Sequence, residues 1–171
     1  MEPKSNLILI GMSGAGKSTL GVLLAKALGK SFVDTDLLIQ QRAGKLLQTI
    51  IDEDGMDAFM ALEEDVVSHV ALQDCVIATG GSVVYSQKAM EHLKKDGVTV
   101  YLTVSFDELQ GRLSNITTRG IVFRGKQDLR SVYEERLPLY EKYADLSLNC
   151  TGQGIEASVG AIVAALTEAR S

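Results

Sequence analysis

A run of four apolar residues, Leu7–Ile10, leads without a break into the octapeptide GMSGAGKS at residues 11–18. The octapeptide matches the pattern G-x-x-x-x-G-K-[ST], and residues 17–29 carry the apolar spacing of an amphipathic helix. The three glycines of the octapeptide permit positive φ, so consecutive backbone N–H groups can converge on an anion at the positive end of that helix. The chain is therefore predicted to fold around a strand, a phosphate-binding loop (P-loop) and a helix.

The side chains of the loop have separate predicted tasks. Lys17 should reach the β and γ phosphates of a nucleotide, the Ser18 hydroxyl should coordinate Mg²⁺, and the Thr19 hydroxyl is the alternative, beside the α-phosphate. The predicted nucleotide-binding residues of this segment are Gly11, Ser13, Gly14, Ala15, Gly16, Lys17, Ser18 and Thr19. A P-loop alone does not separate kinases, GTPases and ATPase motors. The short chain and the lack of a guanine-reading NKxD sequence favour a small-molecule or nucleoside phosphotransferase.

Short β-branched or apolar runs alternate with longer helical patterns along the chain. This alternation predicts an α/β fold, a three-layer αβα sandwich around a five-stranded parallel sheet, with the P-loop after the first strand. The predicted strands are 7–10, 32–33, 76–78, 98–102 and 146–148. The predicted helices are 17–29, 56–72, 86–95, 105–113, 128–143 and 155–169. With 171 residues and no visible linker, residues 1–171 are expected to form a single domain.

The composition excludes several classes of protein. A net charge of −5 is a poor basis for binding nucleic acid or an anionic membrane, and no apolar run approaches the ~18 residues of a membrane span. Cys75 and Cys150 lack the spacing of a zinc site or a disulfide framework. We expect a cytoplasmic protein, a monomer, that acts on a small molecule and binds neither nucleic acid nor membrane.

Two carboxylates follow the second predicted strand. Asp34 and Asp36 stand at its carboxyl end, the edge at which open α/β sheets bind ligands. Asp34 could hold Mg²⁺ through water, and Asp36 could orient an attacking hydroxyl or accept its proton. In the alternative interpretation, one of the two only caps the helix that begins near Leu37.

A basic segment without acidic residues lies between Leu109 and Gln127. Such a segment is typical of a mobile lid, here predicted at about residues 111–126, that folds over a triphosphate and excludes water. Its cations are Arg112, Arg119, Arg124 and Lys126. Arg119 is the predicted contact to the transferring phosphoryl group. Farther on, Arg136 and Tyr140 lie one helical turn apart, so either could face the cleft.

These motifs together resemble the shikimate kinases, a family of the nucleoside monophosphate kinase-like P-loop group. The resemblance rests on GMSGAGKST, DTD at 34–36, DGMDAFMALEEDVV, ATGGSVV, TTRG and ERLPLY, in matching order. It implies ATP, Mg²⁺ and transfer of the γ-phosphoryl group to the 3-hydroxyl of shikimate, a step of aromatic amino-acid biosynthesis. It also implies a substrate-binding helical segment at about residues 35–72.

The resemblance also implies roles for single residues. Lys17 would stabilise the phosphates, Ser18 and Asp34 would serve the metal, and Asp36 would engage the reacting hydroxyl. The remaining implied contacts are Gly80 and Gly81 through their backbone to the substrate, Arg112 against adenine, Arg119 to the γ-phosphate, and Arg136 to the substrate carboxylate.

Three departures from the family pattern concern the acceptor. Met60 stands where an arginine of the pattern FRxxE would help to bind the carboxylate, with Glu63 one turn away; Ser82 replaces a third glycine, and Gly120 replaces a proline. A charge-assisted contact is worth about 1.5 to 3 kcal/mol, which methionine cannot supply. Met60 and Glu63 therefore join the predicted substrate-binding residues.

Three hypotheses follow. In the first, Arg136 and Arg119 hold the carboxylate of shikimate without a third arginine. In the second, a related enzyme phosphorylates another small hydroxylated metabolite, such as one with an amine that pairs with Glu63 or a neutral polyol. In the third, the protein is a nucleotide-binding switch without catalysis.

Overall fold

The computed structural model describes residues 4–114 and 128–169. Five parallel strands form one sheet in the order β2-β3-β1-β4-β5. The strands are β1 (Asn6–Ile10), β2 (Ser31–Asp34), β3 (Cys75–Ala78), β4 (Gly97–Thr103) and β5 (Leu146–Asn149). The predicted five-stranded α/β sandwich is confirmed, and each strand lies within one residue of its predicted bounds at both ends.

The described residues contain eight α-helices and one short 3-10 turn. The helices are α1 (Lys17–Leu28), α2 (Thr35–Ala43), α3 (Leu47–Asp54), α4 (Met56–His69), α5 (Gln87–Lys95), α6 (Phe106–Ser114), α7 (Leu129–Tyr143) and α8 (Ile155–Glu168); the 3-10 turn spans Val83–Tyr85. Helix α4 ends three residues before its predicted end, because Val70 adopts an extended conformation. The segment 35–72 contains α2, α3 and α4, of which only α4 and the start of α2 were expected.

Helices cover the sheet and complete its core. Helix α1 packs against β1, β2, β3 and α8, while α5 and α7 pack against β4. The central strand β1 is buried along its whole length, which explains why its sequence is uniformly apolar instead of alternating. A second, smaller core lies among α2, α3 and α4 around Ile39, Ile50 and Phe59. Within the described part of the chain, no helix has the length and apolar character that crossing a membrane requires.

The strand order positions the site. Strand β1 pairs with β3 on one side and β4 on the other, so the chain leaves β1 at the point where the order of the strands reverses. Such a point opens a crevice at the carboxyl ends of parallel strands. The segments that follow β1, β2 and β3 begin at residues 11, 35 and 79, and all three start at this crevice.

Candidate active site

The P-loop forms a closed turn between β1 and α1. Gly11, Gly14 and Gly16 have φ of 149°, 84° and 96°, as their predicted role requires. The backbone N–H of Ala15 donates to the carbonyl of Met12 over 3.1 Å, which closes the loop. The loop therefore has positive φ at all three of its glycines, as the octapeptide predicted.

Lys17 opens helix α1 and is 7% exposed. Its Nζ donates to the carbonyl oxygens of Gly11 and Met12 over 2.6 and 2.7 Å, so the ammonium is held against the loop. A cavity of about 310 Å³ lies in front of the loop. Its polar and glycine lining includes Ser13, Gly14, Lys17, Ser18, Asp34, Asp36, Thr79, Gly80 and Gly81. The structure thus brings the P-loop, the two aspartates and the glycine pair to one cavity.

Ser18 and Asp34 form a polar pair at one side of this cavity. The Ser18 hydroxyl donates to Oδ2 of Asp34 over 2.8 Å, while Oδ1 of Asp34 accepts the backbone N–H of Asp36 over 2.9 Å. Asp34 therefore caps helix α2 and also bonds Ser18, so the capping role is confirmed and its metal-binding role stays a prediction. One hydroxyl and one carboxylate beside a phosphate cradle fit Mg²⁺, which takes few protein ligands and completes its shell with phosphate oxygens and water.

Asp36 and Glu63 approach each other at Gly80. A Cβ atom at Gly80 would lie 2.8 Å from Oδ1 of Asp36 and 2.9 Å from Oε2 of Glu63. The side chain of Glu63 is only 2% exposed, and its Oε1 accepts the Ser82 hydroxyl over 2.7 Å. Burial, together with the negative charge of Asp36, raises the pKa of Glu63 to about 7, although Ser82, Arg136 and Lys17 act in the opposite direction. Glycine at position 80 is thus what allows two carboxylates to reach the same part of the cleft.

Gly81 has the same requirement for a small residue. A Cβ atom there would lie 2.8 Å from Nη1 of Arg136 and 3.3 Å from the backbone nitrogen of Ser13. Arg136 comes from helix α7, is 1% exposed, and lies over the ring of Tyr85 with its Nε 3.4 Å from the Tyr85 hydroxyl. Of the pair one turn apart on α7, Arg136 is the residue that brings a cation to the glycine pair.

Tyr140 also contributes to this part of the site. Its hydroxyl donates to the carbonyl of Gly81 over 2.6 Å, and its ring stacks on Tyr101 with 5.0 Å between centroids. The sequence left open whether Tyr140 faces the cleft, and the structure shows that its hydroxyl bonds the Gly81 carbonyl. The one-turn spacing from Arg136 was the signal that could have indicated it.

Met60 lies beside this cleft and not in the 310 Å³ cavity. It packs at the edge of the smaller core with Met56, and it lines a cavity of about 170 Å³ together with Glu63, Ser82 and Tyr85. Met60 is thus a neighbour of Glu63. The hydrogen bond from Ser82 to Glu63 was not foreseen from the sequence.

Arg112 stands at the far side of the P-loop, on helix α6 as expected. Its Nη1 donates to the carbonyl of Gly14 over 2.9 Å, and its Nη2 donates to Oε1 of Glu108 over 2.5 Å. A cavity of about 190 Å³, next to Gly16, is lined by Thr19 and Arg112 as well as by Gln153. This position is compatible with the predicted contact to a nucleotide base.

Part of the predicted lid lies outside the described residues. Residues 111–114 complete helix α6, whereas Arg119, Gly120, Arg124 and Lys126 fall outside the described ranges. The assignment of Arg119 to the transferring phosphoryl group stays a prediction.

Comparisons with known proteins agree with this arrangement. Residues 13–167 match the family model described as shikimate kinase. The shikimate kinase of Mannheimia succiniciproducens is 36% identical over 168 residues, which cover 95% of each chain. That of Trichormus variabilis is 43% identical over 146 residues, or 84% of this chain and 80% of its relative.

A solved structure gives the same result. The shikimate kinase from Acinetobacter baumannii in complex with shikimate has a TM-score of 0.87 and 29% identity, and the match covers 96% of this chain and 93% of that one. Sequence and fold thus agree over nearly the full length. The chain belongs to the shikimate kinase family and is an ATP-dependent phosphotransferase with a hydroxyl acceptor.

Proposed function

We propose that this protein transfers the γ-phosphoryl group of ATP to the 3-hydroxyl of shikimate, with Mg²⁺ as the metal. The observation that carries the proposal is the meeting of the P-loop with Asp36, Gly80, Gly81 and Arg136 around one crevice. A nucleotide on the P-loop and an acceptor at the glycine pair would be neighbours there. The Acinetobacter baumannii relative was solved with shikimate, which supports the choice of acceptor.

In this proposal, the chain supplies position and charge. Asp36 orients the acceptor hydroxyl and takes its proton as the oxygen attacks the γ-phosphorus. The bond between that phosphorus and the bridging oxygen breaks, and ADP leaves with its electron pair. Lys17 provides positive charge to the phosphates, and Arg119 adds charge to the transferring group.

Ser18 and Asp34 would hold Mg²⁺, which neutralises phosphate charge when bound. The nucleotide site would consist of the P-loop residues with Arg112 beside the base. Arg136 is the proposed partner of the acceptor carboxylate, because its guanidinium lies against Gly81 in a buried position.

We also propose a cytoplasmic location. Cys75 and Cys150 are both buried free thiols, in agreement with a reducing compartment. We retain the sequence-based expectation of a monomer.

The test is an assay that couples ADP release to a spectroscopic signal. It compares shikimate with other hydroxy acids, polyols and amino alcohols, and we expect acceptor-dependent ADP production with shikimate and its loss when Mg²⁺ is chelated. Asp36→Asn should lower kcat by about 100-fold or more, because it removes the base but keeps the size of the side chain. Asp65→Asn, at a half-exposed carboxylate on α4, is the matched control and should retain activity.

Two outcomes would contradict the proposal. If shikimate gives no ADP above the rate without acceptor, shikimate is not the substrate. If Asp36→Asn keeps the kcat of the unmodified protein, Asp36 is not the base.

A further inference from the structure

Glu63 leaves one buried oxygen without a hydrogen bond. Its Oε1 is bound by the Ser82 hydroxyl, but Oε2 is a buried side-chain oxygen for which the described part of the chain offers no hydrogen-bond partner. Buried polar atoms are normally paired, and an unpaired one in a native fold calls for an explanation.

The unpaired oxygen lies next to Gly80, a residue that lines the cavity in front of the P-loop. Oε2 lies 2.9 Å from the position of a Cβ atom at Gly80, and Oδ1 of Asp36 lies 2.8 Å from the same point. Both oxygens therefore lie against the same side of Gly80, and an acceptor bound at this glycine would be a neighbour of both side chains. At this position, Oε2 would gain a hydrogen-bond partner when the acceptor binds.

The surroundings of Glu63 decide its protonation. Four titratable or charged groups face it from different elements: Asp36 on α2, Lys17 on α1, Tyr85 in the 3-10 turn and Arg136 on α7. Glu64, the next carboxylate on α4, is bound by the Ser86 hydroxyl.

Met60 adds no charge to this set. It stands where the family pattern would place an arginine beside Glu63, and its thioether cannot neutralise a carboxylate. Burial and the negative charge of Asp36 outweigh the Ser82 hydrogen bond and the two cations, so the pKa of Glu63 lies near 7 and the neutral form is populated below that pH.

We propose that Glu63 binds the acceptor as a neutral carboxylic acid, with the proton on Oε2 donated to an oxygen of the substrate at Gly80. Ser82 assigns the two oxygens their roles, because its hydroxyl donates to Oε1 and leaves Oε2 as the protonated atom. The acid replaces part of the hydrogen bonding that an arginine at position 60 would provide. Ionised Glu63 would instead repel the carboxylate of shikimate. This inference rests on the proposed function.

The test measures KM for shikimate between pH 6 and pH 9. With a pKa of about 7, the protonated fraction of Glu63 falls about tenfold from pH 6 to pH 8. KM should therefore rise about tenfold over this range, whereas kcat at saturating shikimate need not change in parallel. Glu63→Gln keeps an N–H donor and cannot ionise, so its KM should stay near the value that the unmodified protein shows at pH 6. Asp65→Asn, on the same helix, should follow the unmodified protein.

A second variant makes the kinetic result independent of how well Glu63→Gln folds, and a second readout reports on the proton itself. Met60→Arg places a cation beside Glu63 and should flatten the rise of KM with pH, because the arginine becomes the donor and the ionised carboxylate becomes its partner. Infrared difference spectra of unmodified protein and Glu63→Gln should show the carbonyl stretch of a protonated carboxyl at pH 6 and not at pH 9.

The outcomes separate this inference from the proposed function. Shikimate turnover with the same rise of KM in Glu63→Gln, or no protonated carboxyl band at pH 6, would overturn the role of Glu63 alone. The absence of shikimate turnover at every pH would overturn the proposed function and, with it, this inference.

Discussion

Replacing Glu63 with glutamine should change how the stability of the fold depends on pH. The pKa of Glu63 is 4.5 in the unfolded chain and about 7 in the folded protein, because the side chain is buried and lies near Asp36. The folded state therefore binds the proton more tightly than the unfolded state. The stability that this difference contributes is fully present below pH 4.5 and is lost as pH rises through 7.

The magnitude follows from the two pKa values. One pKa unit corresponds to about 1.4 kcal/mol, so the full effect is about 3 kcal/mol, and most of it falls between pH 5 and pH 8. Glu63→Gln has no proton to lose, and its amide oxygen can still accept the Ser82 hydroxyl. The unmodified protein should therefore lose about 2 to 3 kcal/mol relative to Glu63→Gln across this range.

Urea unfolding followed by circular dichroism at pH 5, 6, 7 and 8 provides the measurement, with Asp65→Asn as a control for other titrating groups. The comparison uses the difference in unfolding free energy between unmodified protein and Glu63→Gln at each pH. If that difference is the same at pH 5 and pH 8, Glu63 does not titrate in this range and the reasoning from its burial fails.

Two further substitutions test the packing around the glycine pair. Tyr140→Phe leaves the Gly81 carbonyl without its 2.6 Å hydrogen bond. We therefore expect the free energy of unfolding in urea to fall by about 1 to 3 kcal/mol and KM for the acceptor to rise. An unchanged unfolding curve would contradict this role. Gly81→Ala would place a methyl group 2.8 Å from Nη1 of Arg136, so acceptor KM should rise at least about tenfold in steady-state kinetics. Gly160→Ala, on α8 with open space around it, is the matched control. It should leave KM unchanged and raise the free energy of unfolding by up to about 1 kcal/mol. An equal KM in both variants would refute the close contact at Gly81.

The fold could be predicted because its signals are local. The apolar strand and the P-loop fix the first βαβ unit, and short β-branched or apolar runs identify the other strands. Strands β1 and β3 are buried on both faces, which removes any need for alternation in their sequences. Helices α2 and α3 were harder to predict, because their apolar contacts are few and their core consists of Ile39, Ile50 and Phe59 drawn from three helices. No single segment carries that pattern.

The candidate site likewise combines residues that the sequence could place with contacts that it could not. Lys17, Ser18, Asp34 and Asp36 could be placed from spacing and from their position after strands, since parallel strands bring their carboxyl ends to one edge. The pairing of Ser82 with Glu63 joins residues 19 positions apart, and the bond from Tyr140 to Gly81 spans 59 positions. Contacts of this length depend on how helices α4 and α7 pack against the loop after β3.

The sequence by itself determined the phosphate-binding chemistry and the family of this protein, because a P-loop depends on the backbone of a few consecutive residues. Only the tertiary structure decided the state of the acceptor site. It placed Glu63 in a buried position next to Asp36, with the uncharged Met60 lining the same small cavity. The charge of a buried carboxylate depends on every neighbour within reach, and those neighbours come from helices that are distant in the chain.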